Sequence, residues 1–229
     1  MAKDLQMDSA IALGDRAARD IAWSFAKAED QAAFNGDGTS TYGGHIGART
    51  RLQNVDGAGT DSAGLVTGTG NAYSELVIGD FHSVLGKLPS YARLSECRWV
   101  VSMPFFFTVM QKLEVALGGT SVVDVQGLQS GSGAYRFLGL PVEFSDAMPS
   151  TEGNSQVCAM LGDWQLGAIF GDRSGSEVEF DDTVVIGGVS VWERDEVGIK
   201  GVERCDINVH DYGTSSAAGC IVGLQTAAS

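Results

Sequence analysis

The sequence predicts an α+β fold, and three observations carry that expectation. Hydrophobic residues make up 44 % of the 229 residues, enough for a substantial core. Stretches with a helical three-and-four-residue period stand in the first half, and short apolar segments bounded by turns fill most of the second. Helices and strands are mixed without a regular βα repeat. Only 19 % of residues are charged while 31 are glycine, a balance that suits strands, turns and long loops better than a helical bundle.

The first element is a helix over residues 8–34. Leu13, Ala17, Ile21, Phe25, Ala28 and Ala32 recur along one stripe, with Arg16, Arg19, Lys27, Glu29 and Asp30 largely elsewhere. Gly14 weakens it by about 1 kcal/mol relative to alanine. A stripe so rich in alanine needs a close-packed partner, expected in strands of the region 176–203. The stretch "AFNGDGTSTYGG" then ends the helix: Asn35 and Gly36 tolerate the left-handed conformation, and Asp37, Gly38 and Thr39 continue as a turn.

Residues 39–70 are rich in glycine and threonine and read as loop or short strand, anchored by Ile46, Leu52, Val55 and Leu65. A second helix is expected over 74–88, capped by Ser74 and stopped by Pro89, with Leu76, Val77, Phe81, Val84, Leu85 and Leu88 on one face. "CRWVVSMP" has the apolar run of a buried strand. Pro104 opens a third helix running to Leu117 and closed by Gly118 and Gly119. "YRFLGLPVEFS" reads as one kinked or edge strand, because Gly139 and Pro141 interrupt it. "VCAMLGDW", "LGAIFGDR", "EVEF", "TVVIGGVSVW", "GIKGVER" and "AGCIVGL" follow as separate short strands.

Most catalytic and metal chemistries fail on spacing. A calcium loop with Gly38 as its sixth residue would place Ala33 first and Gly44 twelfth, where carboxylates are required. A phosphate loop needs a lysine after its glycines, and none lies between Lys27 and Lys87. The four cysteines, Cys97, Cys158, Cys205 and Cys220, form no C-x-x-C pair, which argues against zinc. A thiol hydrolase would have to bring Cys205 or Cys158 to His210 and Asp211, yet on one strand Cys205 and His210 would face opposite ways. Asp163 and Asp172, each after a glycine, read as turn chemistry rather than a carboxylate pair. No catalytic residue, cofactor or metal is therefore expected.

A net charge of −14 disfavours broad nucleic-acid binding, because the phosphate interaction would be repulsive. No apolar run is long enough to span a bilayer. "MAKDLQMDSA" shows no secretory signal, so the expectation is synthesis in a reducing cytoplasm with free, mostly buried thiols.

The order of segments carries more than any one of them. A long helix followed by "FNGDGTS", then "RWVVSMP", "FLGLPVEFSDAMPS", "MLGDWQLGAIFGDRSG" and "VGIKGVERCDINVHD" resembles the major capsid proteins of tailed bacteriophages, with the Hong Kong 97-type fold. The resemblance implies a spine helix, a peripheral-domain sheet and a mixed α/β axial domain. The turn at Asn35, Gly36, Asp37, Gly38 and Thr39 would stop the spine helix. Gly139, Pro141, Val142, Ser145, Pro149, Gly162 and Asp163 match the axial-domain pattern, Arg173 its Asp-Arg step and Arg204 the returning strand. The implied division is residues 1–60 for the spine helix and following loop, 61–175 for the axial domain, 176–203 for the returning peripheral strands and 204–229 for C-terminal strands of the axial domain.

The implied function is a structural, non-enzymatic subunit of an icosahedral shell around packaged DNA. An encapsulin-like nanocompartment shell is the alternative with the same fold. Self-association into pentamers and hexamers is implied. Scaffolding, portal and decoration proteins are the further partners; sequence-specific nucleic-acid binding and membrane attachment are not expected. The implied location is the virion, and the host bacterial cytoplasm before assembly. The helix begins almost at Met1, so the family's N-terminal arm and extended loop are expected to be absent, and with them covalent cross-linking. Ring contacts would then fall to loops around residues 118–133, leaving a monomer, or rings at high concentration and salt.

Overall fold

The computed structural model describes residues 13–116 and 135–228. The part of the first helix over 8–12, Leu117, the glycines at 118 and 119 and the loops around 118–133 lie outside them. The chain divides into two compact units. The larger comprises residues 30–169 and 207–229, and the smaller residues 1–29 and 170–206.

The larger unit is built on a six-stranded sheet. Its strands are β1 (Leu65–Thr67), β2 (Arg98–Val101), β3 (Arg136–Phe137), β4 (Leu140–Phe144), β5 (Val157–Gly162) and, last in the chain, β10 (Ile221–Gln225). They lie in the order β1-β10-β5-β2-β4-β3. β5 is antiparallel to both neighbours, whereas β1 with β10 and β2 with β4 are parallel pairs.

Alternation sorts the side chains of this sheet into two cores. Trp99, Val101, Leu161, Val222 and Leu224 join one cluster, and Val100, Val157, Met160 and Ile221 the other. Each face is covered by helix. Helix α2 (Ala48–Gln53) supplies Ala48 and Leu52 to the second cluster. Helix α3 (Ile78–Lys87) supplies Phe81 and Val84 to the first. There Phe81, Trp99 and Phe137 meet edge to face, with centroids 5.0–5.9 Å apart. Burial on both faces is why "RWVV", "VCAMLG" and "IVGLQ" read as nearly unbroken apolar runs.

Several boundaries differ from the sequence expectation for physical reasons. Ser74 does not cap the second helix: Tyr73–Glu75 is a separate 3-10 turn. Helix α3 starts at Ile78, where Asp80 reaches back to accept the Val77 N–H at 2.9 Å. The third helix, α4, starts at Met103, capped by Ser102, with Pro104 inside its first turn. It runs as Met103–Phe105, a π turn over Phe106–Met110, and Gln111–Ala116. "YRFLGLPVEFS" is a two-strand hairpin, β3 and β4, turning at Leu138 and Gly139 with φ of 50° and 82°. Residues 39–70 contain helix α2 and strand β1, neither of which had a clear pattern. Residues 30–60, grouped with the spine helix in the sequence reading, cluster with the larger unit, where Ala48 and Leu52 are fully buried.

The long helix α1 (Leu13–Asn35) starts in the smaller unit and ends in the larger. The smaller unit pairs β6 (Ala168–Asp181) with β9 (Gly198–Val209) and adds a hairpin of β7 (Val185–Ile186) and β8 (Val189–Ser190). The segments "LGAIFGDR" and "EVEF" are thus one 14-residue strand. Its helix packs on strand, as the alanine-rich stripe predicted: a Cβ on Gly201 would sit 2.6 Å from Ile21 Cγ2 and 3.1 Å from the Phe25 ring.

That closeness generates a prediction. Gly201→Val should force α1 off β9 and lower stability by about 1–3 kcal/mol, read by urea denaturation followed by circular dichroism. An unchanged midpoint would show that the contact bears no load.

Candidate functional site

The residues marked by the resemblance fall into two hydrogen-bonded knots, the β3–β4 hairpin and the exposed strand pair β6 and β9. The first knot ends α1. Asn35 Nδ2 donates to Ala147 O at 2.7 Å and to Gln31 Oε1 at 2.8 Å, and Asn35 Oδ1 accepts from the Arg49 guanidinium. Gly36 and Gly47 bring two backbones together: Gly47 N–H donates to Gly36 O at 2.9 Å, and Gly38 N–H to His45 O at 2.9 Å. A Cβ on Gly36 would meet the carbonyl oxygens of Ala32 and His45 at 2.5 Å, and one on Gly47 would meet the Phe34 backbone. Only glycine fits either place. Asp37 accepts from the N–H and hydroxyl of Thr39, at 2.9 and 2.6 Å, and these bonds hold its carboxyl below the usual range.

The 145–149 segment attached to this knot is itself tied to the sheet. Ser145 N–H donates to Val101 O, its hydroxyl accepts from Ala147 N–H, and Pro149 O accepts from the Ser102 hydroxyl. Val142 is buried in β4, and Pro141 lies opposite Arg136 of the short strand β3, beyond the part of β4 that pairs with β2. There the missing N–H costs no ladder bond.

The second knot surrounds Asp163, which is fully buried. It caps helix α5 (Trp164–Gly167) by accepting from Leu166 N–H at 3.2 Å, and it accepts from Arg93 Nε at 3.1 Å. Gly162 just before it admits β10: a Cβ there would lie 2.6 Å from Cys220 O. Around this knot Tyr91, Leu94, Leu166 and Ile169 are exposed, and Tyr91 donates to Asp211 at 2.8 Å. Arg204 is exposed on β9 of the smaller unit, and Arg173 on β6.

Arg49, Gly47 and Arg93 were missed by sequence reasoning. "GGHIGART" offered a faint signal, glycines running straight into a helical segment. Arg93 offered none, since 70 residues separate it from Asp163.

The geometry also bears on the thiol alternative. Cys205 lies within β9 and His210 directly follows that strand. Burial, then the neighbouring Glu29, pushes the Cys205 thiol up, and burial pushes Cys158 and Cys220 up to about 12. A nucleophilic thiol needs the opposite shift. Among the described residues no group of three or more His, Cys, Asp and Glu is placed to hold a metal ion, and no helix is long and apolar enough to cross a membrane.

Two predictions follow from these contacts. Asp163→Ala removes a helix cap and the acceptor for Arg93, and should cost about 2–3 kcal/mol in a urea midpoint measurement. In the native chain at pH 8, Cys158 and Cys220 should resist an aromatic disulfide reagent that modifies all four cysteines after unfolding. Rapid native labelling of either would contradict the buried, protonated thiol.

Comparison with known proteins agrees with this architecture. The model of the phage capsid family matches residues 1–214. The capsid of a native GTA particle superposes with a TM-score of 0.70 at 21 % identity, over 99 % of this chain and 70 % of that one. The capsid of an empty GTA particle gives 0.66 at 22 %, over 99 % and 70 %. A structure from Mycobacterium phage Bobi gives 0.67 at 18 %, over 100 % and 70 %. No curated protein matches. At these identities the solved structures establish the fold. The family match over nearly the whole length, on a fold shared with assembled capsids, establishes that the chain belongs to the phage capsid family and is a structural subunit of a phage-type shell.

Proposed function

We propose that the chain is the repeating wall unit of an icosahedral particle that encloses DNA, and that it closes into rings of five and six copies. The smaller unit is the peripheral domain in this reading and the larger unit the axial domain. The chain acts within the virion after assembly in the bacterial cytoplasm, alongside scaffolding, portal or decoration proteins, and without sequence-specific nucleic-acid contacts or enzymatic activity.

One observation supports this beyond family membership. Among the described residues of the smaller unit, Val191 is the one buried hydrophobic side chain. Trp23, Phe170, Phe180, Val185, Ile186 and Trp192 all stand exposed, from 44 % to 69 %. Val184, Ile186 and Ile199 line an open groove beside the β7–β8 hairpin. Exposed apolar surface on this scale is what repeated contacts between copies would cover.

The charge of −14 opposes such contacts until salt screens it; the Debye length falls from about 10 Å at 0.1 M to about 3 Å at 1 M. At high protein concentration, raising the salt should therefore convert monomer into rings visible by negative-stain electron microscopy and mass photometry. Ile186→Asp should abolish them while leaving the circular dichroism spectrum unchanged. Monomer under every salt condition, or rings indifferent to Ile186→Asp, would count against self-assembly through this surface.

A further inference from the structure

The end of α1 holds a reactive dipeptide. Of the five asparagines in the chain, Asn35 alone is followed by glycine. A glycine has no side chain to shield its backbone nitrogen, and that nitrogen can attack the side-chain carbonyl of the asparagine before it. A bond forms between Gly36 N and Asn35 Cγ, and the Cγ–Nδ2 bond breaks. Ammonia leaves and a five-membered imide closes. Water then opens the imide on either side. Cleavage at Cγ gives aspartate; cleavage at the main-chain carbonyl gives isoaspartate, with an extra carbon in the backbone. No oxidant or reductant takes part.

Packing requires both residues here. Gly36 has carbonyl oxygens of Ala32 and His45 where a Cβ would stand, at 2.5 Å. Asn35 donates twice and accepts once, which an amide side chain can do and a carboxylate cannot. The same contacts oppose the reaction. Gly36 N–H is engaged with Ala32 O at 3.1 Å. Asn35 Nδ2 is held by Gln31 Oε1 at 2.8 Å and Ala147 O at 2.7 Å, and Oδ1 by the Arg49 guanidinium. Asn35 is also the last residue of α1. Closing the imide takes its backbone out of helical geometry and swings Cγ back onto its own following nitrogen. The ring cannot form until these bonds break.

We propose that Asn35–Gly36 is a fold-gated deamidation site. It stays an amide while the knot is closed and converts wherever the knot stands open. Conversion is one-way, because neither product can rebuild the knot. An aspartate at position 35 has no N–H for Ala147 O or Gln31 Oε1, and it turns a negative oxygen toward those acceptors. Isoaspartate also lengthens the main chain just before the Gly36–Gly47 bond, where the two backbones already touch. A chain that lingers with this end of α1 undocked is thereby marked, and separated from chains that closed in time.

The test is a peptide map of the full chain after incubation at pH 8, once native and once unfolded in guanidinium chloride. Mass spectrometry follows the change from amide to acid at residue 35, and an isoaspartyl methyltransferase reports the isoaspartate. Native conversion should be slower than unfolded conversion by about tenfold or more, because it waits on local opening of the knot. Gln31→Ala and Arg49→Ala each release one hold on the Asn35 side chain. Each should speed native conversion about threefold or more, the size expected of one lost hydrogen bond, and leave the unfolded rate unchanged. If one variant fails to fold by circular dichroism, the other decides. Native conversion as fast as unfolded, or a folded variant whose native rate matches the wild type, would overturn the gate.

Discussion

The larger unit depends on one strand. β5 is hydrogen-bonded on both edges, to β10 and to β2, and all six of its residues are buried. A strand in that position has no solvent outlet for any backbone group, so its neighbours must hold register along its length. Met160 lies between Val100 and Gly223, and Gly162 faces both Arg98 and Ile221. The helices over each face and the loop at Asp163 are placed by side chains that emerge from these registers. At the end of β5 the ladder gives way to a buried carboxylate holding Arg93 and the first turn of α5.

Legibility in the sequence followed burial. The strands of the central sheet were visible because both faces are apolar, which leaves an almost unbroken run of large side chains. The stripe on α1 was visible because one side packs and the other does not. β6 was not recognised as one strand. Nearly all of its described residues are exposed, so "GDRSGSEVEF" carries no alternation, and Gly171, Asp172 and Gly175 looked like turn chemistry. The β3–β4 turn was hidden for a related reason: Leu138 occupies a left-handed conformation that leucine seldom adopts. The π turn in α4 leaves no mark on a three-and-four-residue pattern.

The two knots show why an ordered set of weak motifs said more than any one of them. Asn35, Gly36, Asp37 and Gly38 form a turn that many helices could use to stop. What distinguishes this one is its set of distant partners: Arg49, Gly47 and the carbonyl of Ala147, 112 residues away. Gly47 and Arg49 have only the faint local signature of "GGHIGART", and Ala147 has none. Spacing along the chain could register their presence only as a recurring order of segments, and that order was the basis of the family resemblance.

The smaller unit is assembled from two pieces of chain, residues 1–29 and 170–206, with the whole of 30–169 strung between them. This interruption has a consequence in time. Before α1 can find β9, a loop of about 140 residues must close, and closing so long a flexible loop is slow and entropically opposed. Once the larger unit has collapsed, that loop is no longer flexible, and the search becomes local. Folding should therefore be ordered, with the smaller unit, whose described residues bury only Val191 among their hydrophobic side chains, completed last. A chain arranged in this way takes its final shape in two steps, and the second waits on the first.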